Sequence, residues 1–228
     1  SGWLTPISTE NGEKPGSADV IFIPYVERMN ASLAYYKGYS LREEHPFINT
    51  WLKNLEKLEE YRGTQGDFHT HAHDLPPQMG GCFTNSNANQ QLFSKEIDLG
   101  AGLGQLELLD FEVAQKSKQQ FEALALERVI KHKERIIDVN PMKNKSFDQP
   151  LRAALTSMIS KKDCIPEKNS ASSLRYLRDR ISVPRDMPLL SGRLLRQALE
   201  RTATIDGSDP GPAIPTRNRL DQNPIQFN

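Results

Sequence analysis

The sequence predicts an all-α protein. Apolar residues recur at spacings of three and four in one segment after another, and prolines and glycines fall mainly where those segments begin or end. Short strands are compatible with this reading, whereas a sheet-based domain is not.

The first helix is expected from Asp19 to Lys37. Asp19 stands three residues after Gly16, where a first-turn carboxylate meets the orphan amides and the positive end of the helix dipole. Glycine offers no side-chain cap of its own. Val20, Ile21, Phe22, Ile23, Val26, Met29, Leu33 and Tyr36 cover more than one face, the pattern of a helix enclosed by others. Pro24 falls about a turn in, and Gly38 sits where a left-handed terminating residue is needed. Phe22, Tyr25 and Met29 read as core packing, with a ligand groove as the alternative.

Pro46 opens a second helix, to Tyr61, with Ile48, Trp51, Leu52, Leu55 and Leu58 at helical spacing. Trp51 is an anchor between helices whose ring nitrogen needs a polar contact. Lys53, Asn54, Glu56, Lys57, Glu59 and Glu60 form the solvated face. Residues 84–105, rich in Asn, Gln, Ser and Gly, read as a polar surface connection. Gly100, Gly102 and Gly104 lack the strand and spacing of a nucleotide cradle.

A long helix follows from about Leu106 to Asp138, with Phe121, Leu124, Ile130 and Ile137 on one side and Pro141 closing it. Ser146 with Gln149 has the form of a capping box ahead of Leu151, Leu155 and Met158. Helices from about Ser170 to Ser182 and from Leu189 to Ala203 complete the set. Residues 204–228, with four prolines among polar neighbours, describe an extended tail.

At 228 residues the chain suffices for one or two domains without staples. Lysine plus arginine balance aspartate plus glutamate at 29 each, so whole-molecule attraction to nucleic acid or anionic lipid is excluded as a driving force. The two cysteines, Cys82 and Cys164, are expected to be reduced thiols. No run of eighteen apolar residues exists, so no ordinary membrane span is expected, although peripheral association is not excluded.

The stretch GSAD, VIFIPYVERMNASLAYYKG, HPFINTWLKNLEKLEEYRGT and HTHAHDLPPQMGGC resembles, in that order, the all-α C-terminal half of glutathione transferases. ALERVIKHKERIIDVNP and SLRYLRDRISVPRDM resemble the end of a glutathione-transferase-like group associated with cyanobacteria and plastid-bearing organisms. The resemblance implies a C-terminal-like helical bundle with extra C-terminal helices: a helical core over 1–83, a polar connection over 84–105, further helices of the same bundle over 106–203, and a tail over 204–228. Family members usually carry Ser or Thr where Gly16 stands, and their thioredoxin-like half precedes this point. Only about fifteen residues do so here, which reads as a module without its cofactor site. Glutathione is therefore expected only with an upstream domain, and no catalytic residue is assigned.

Two constellations could carry chemistry. His69, His71 and His73 alternate, so in an extended loop their imidazoles could converge on a metal such as zinc, with Cys82 as a soft fourth ligand. The alternatives are hydrogen bonding that fixes the proline-rich turn at Pro76 and Pro77, and proton transfer. Arg175, Arg178, Arg185 and Arg193 belong to an arginine-rich segment suited to carboxylates or phosphates of a protein partner, or to pairing with local acids.

Two function classes follow. In one, the chain is a non-catalytic binding or scaffold module, an accessory subunit or linker of a photosynthetic, thylakoid-associated complex, located at the plastid stroma or thylakoid surface and otherwise cytoplasmic. In the other it is the helical half of a glutathione transferase whose glutathione-binding domain lies upstream.

Overall fold

The computed structural model describes residues 2–79, 81–100, 118–140, 142 and 144–208. Two short strands, β1 (Ile7–Thr9) and β2 (Gly12–Lys14), form an antiparallel hairpin, and everything else of regular structure among the described residues is helical. The N-terminal helices are α1 (Ser17–Lys37), α2 (Leu41–Glu44), α3 (Pro46–Leu55), α4 (Glu59–Thr64), α5 (Phe68–Met79) and α6 (Ala88–Asp98). They are followed by α7 (Lys118–Lys131), α8 (Lys133–Val139), a 3-10 turn (Asn144–Phe147), α9 (Asp148–Ser160), α10 (Ala171–Arg180) and α11 (Leu189–Asp206). The fold is all-α, as a glutathione-transferase C-terminal-like bundle requires.

Helix α1 begins where expected, and Asp19 anchors it. Its carboxylate accepts the amides of Leu4, Thr5 and Gly16 at 2.8, 3.0 and 3.0 Å and the Trp51 indole N–H at 2.7 Å. The N-terminal segment and α3 are thereby tied to one buried residue. At the other end Gly38, φ 66°, donates its amide to Ala34. A Cβ there would lie 2.3 Å from the amide nitrogen of Gln90, so only glycine lets α6 approach so closely.

The enclosed helix expected at α1 is not found. Its second half packs against α5 and α6 through Ala31 and Ala34, but Val20, Ile21, Phe22, Tyr25 and Met29 are 46–65 % exposed. Only Ile23 and Val26 of the first half turn inward, onto the Trp51, Leu52 and Leu55 cluster. Pro24 is the eighth residue of the helix, beyond the first turn, so its missing N–H removes an internal hydrogen bond.

The second expected helix is two. α3 ends at Leu55, and a turn at Glu56 and Lys57 leads into α4. Glu56, expected on the solvated face, is 4 % exposed because Arg42 of α2 pairs with it inside the protein. The polar connection also differs. Asn87 caps α6 by accepting the Gln90 amide at 2.8 Å, and Ile97 is buried beside Phe68.

The second half has its own core. α11 packs against α7, α9 and α10, enclosing Phe147, Leu151, Leu174, Leu195 and Leu199. Of the long expected helix, residues 106–117 lie outside the described residues, and the rest breaks at His132 into α7 and α8. Its buried face is Ala125 and Val129, while Ile130 is exposed. The expected capping box is absent: Ser146 lies in the 3-10 turn, and Gln149 accepts the Glu167 amide and donates to the Ile165 carbonyl. α10 is capped from a distance, since Asp206, the last residue of α11, accepts the amides of Asn169, Ser170 and Ala171 at 3.0, 3.1 and 2.9 Å. The expected tail begins late. Residues 204–206 continue α11, and 209–228 lie outside the described residues.

Candidate functional site

The histidine segment is a helix, not an extended loop. Asp67 starts it by accepting the Thr70 amide at 2.9 Å, and α5 then continues through Pro76 and Pro77. Helical geometry places His69 and His73 on one face, ring centroids 4.6 Å apart, while His71 points elsewhere, with Nε2 3.7 Å from Glu27. Cys82 sits beside the Tyr36 hydroxyl, and Tyr36 donates to the Ala72 carbonyl. The three imidazoles and Cys82 thus do not converge, and among the described residues no group of three or more His, Cys, Asp or Glu side chains is placed to hold a metal ion. Both cysteines are free thiols.

Around His69 and His73 lies a buried ionic network joining the two halves. Arg196 of α11 reaches Asp67 and donates to the carbonyl of Ile181 at 2.6 Å. Thr70 accepts the Val183 amide at 3.0 Å. Arg178 clamps Asp179 through Nε at 2.6 Å and through a terminal nitrogen at 3.0 Å, and its other nitrogen binds Glu200, which Arg175 also engages at 2.8 Å. His73 lies 2.8 Å from Asp98, which also accepts the Tyr35 hydroxyl at 3.1 Å. Gly100 permits this packing, because a Cβ there would come 2.8 Å from Arg196 Cβ.

The electrostatics follow from burial and pairing. Burial alone would raise the Asp67 carboxyl, but the Arg196 guanidinium holds it well below its ordinary value. Burial pushes the His69 imidazole far below the usual histidine range, reinforced by Arg196 and His73, so His69 is neutral. It stands 3.4 Å from Asp179 with neither ring nitrogen hydrogen-bonded. Asp179 is raised by burial despite Arg178, and Tyr35 is raised by burial and by Asp98. Most of these charges face one another, which clamps the halves together.

The arginines singled out in the sequence divide accordingly. Arg175 and Arg178 are committed to Glu200 and Asp179, and half-buried Arg193 is lowered to about 10 by desolvation. Arg185 faces solvent, paired with Asp186 at 2.9 Å. Asp67, Thr70, Arg196 and Glu200 were not assigned from sequence. The signal for the first two was available, since Asp-x-x-Thr at 67–70 is a helix-start pattern.

The other distinctive feature is the exposed apolar face of α1. Val20, Ile21, Phe22, Tyr25 and Met29 lie within three turns, a concentration that ordinary scattered surface residues do not give. Among the described residues no helix is long and apolar enough to cross a membrane.

Comparison with known proteins yields a local relationship. The chain is 30 % identical over 57 residues to glutathione S-transferase DHAR3, chloroplastic, of Arabidopsis thaliana. The match covers 25 % of this chain and 22 % of the relative, so the chain spans only about a fifth of that protein's length. No family model matches, and no solved structure matches.

Proposed function

We propose that this chain is a non-catalytic helical binding module, related to the glutathione transferase C-terminal half, that docks a separate polypeptide through the apolar face of α1. The exposure of Val20, Ile21, Phe22, Tyr25 and Met29 carries this reading. Burying such a face against a partner's apolar surface supplies the free energy that its present exposure forgoes. The ionic interior supports the non-catalytic part, because Asp67, Asp179 and Glu200 are each bound by an arginine of the same chain. The setting we propose is a plastid complex, an accessory position at the stroma or thylakoid surface, supported by the chloroplastic relative.

A photo-crosslinking residue at position 25 tests the docking face, with position 131 on α7 as control. The expected result is one crosslinked polypeptide from position 25 only, whose complex reforms from purified components and is abolished by Ile21→Lys. Equal crosslinking from both positions, or crosslinking only to a second copy of the chain, overturns the reading.

The second reading is the helical half of a transferase. The local identity to a glutathione S-transferase favours it. Titration of the chain with glutathione discriminates the two: micromolar binding supports the transferase, and absence of binding up to millimolar concentration supports the module.

A further inference from the structure

The second half of the chain carries a cleft that the ionic network and the α1 face do not use. It opens between α7 and α8 on one side and the end of α10 with the following loop on the other. Its volume is about 320 Å3, at the small end of the range for ligand sites. The floor is apolar, with Val129, Ile181, Met187 and Leu195 drawn from separate parts of the core.

The rim is cationic. Arg128 stands at the edge of α7 with no carboxylate paired to it among the described residues. Arg180 ends α10, its guanidinium 5.2 Å from the centre of the Tyr176 ring. Arg185 lies in the loop beyond. The acid among these residues, Asp186, is already engaged: it accepts the Ser182 amide at 2.7 Å and the Arg185 Nε–H at 2.9 Å. Three guanidiniums thus surround an apolar floor on a chain whose formal charge is zero.

A neutral hydrocarbon would use the floor and leave the guanidiniums unanswered. A small inorganic anion would use the rim and leave apolar surface wet. We propose that the cleft binds an amphipathic monocarboxylate of the fatty-acid class, its hydrocarbon along Val129 and Met187 and its carboxylate held by the arginine forks. No residue of α1 lines the cleft, so this proposal stands apart from the docking face.

The test is methyl NMR of the full chain titrated with decanoate, decanol and acetate. Decanoate is expected to shift the Val129 and Met187 methyl signals saturably while those of Val20 and Met29 stay in place. Decanol should bind at least tenfold more weakly, and acetate should move no methyl. Arg128→Gln should weaken decanoate about tenfold and leave decanol unchanged. Equal affinities for decanoate and decanol, shifts that spread to α1, or an Arg128→Gln variant that binds decanoate like the parent would each overturn the proposal.

Discussion

The indole N–H of Trp51 donates to the carboxylate of Asp19 at 2.7 Å, joining the middle of α3 to the first turn of α1 at a residue with no solvent exposure. Trp51→Phe keeps most of the ring packing and removes that donor, so a loss of about 2 kcal/mol is expected, typical of a hydrogen bond to a charged group. Asp19→Ala strands the amides of Leu4, Thr5 and Gly16 as well and should cost more. Urea denaturation of the two variants checks the order, and equal midpoints for Trp51→Phe and the parent would refute the role of the donor.

Asp19 also predicts an acid limb. Burial alone would raise its carboxyl, but these hydrogen bonds bring it down to about 2 from an ordinary 3.8. The folded form therefore releases the proton more readily, and its contribution, about 2 kcal/mol, is present above 3.8 and lost as pH falls towards 2. The Asp19→Asn variant should show a flatter stability profile over that window.

His69 acts at higher pH. Its imidazole is buried neutral, so below the ordinary value of 6.5 the unfolded chain takes a proton that the folded chain refuses. Stability should fall as pH drops through that value, with a slope approaching about 1.4 kcal/mol per pH unit from this group. Asp179, raised by burial, works in the opposite sense within the carboxylate range. Denaturation of His69→Gln between pH 7 and 5 should show a shallower slope than the parent, and an unchanged slope would place the titration elsewhere.

The pair formed by Arg196 and Asp67 is expected to be costly to break and cheap to replace. Arg196→Leu leaves a buried carboxylate without its cation, a loss of about 3–5 kcal/mol. Adding Asp67→Leu should recover a large part of that loss, because both charges are then gone. A double variant no more stable than the single would show that the ion pair is not the determinant.

Asp206 offers a local measurement. Asp206→Ala removes the acceptor for three amides at the start of α10 and should cost about 1–2 kcal/mol, the range for loss of a helix cap. Hydrogen exchange should accelerate at Asn169, Ser170 and Ala171, while the amides within α3 stay protected.

Helices whose apolar residues form one stripe were legible: α3 from Pro46 and α11 from Leu189 start where their sequences place them. Helix α1 was found, but its orientation was not, because residues apolar on several sides do not say which side is covered. α5 was misread because HTHAHDLPP has polar residues and prolines where a helix pattern wants aliphatic ones, and Asp67 outweighs that deficit by capping the first turn. Glu56 and Arg42 were invisible as a pair, since fourteen residues and a turn separate charges that only the packing of α2 on α3 brings together. The ionic network was illegible for the same reason on a larger scale.

The contact between Asp67 and Arg196 spans 129 positions of the chain. As the polypeptide leaves the ribosome, the acid emerges long before its counter-charge has been made, so the helices around it must wait in a loosely organised form. The halves are then obligate companions during folding, and a fragment cut after Gly100 would keep an anionic hole where its missing sequence belongs.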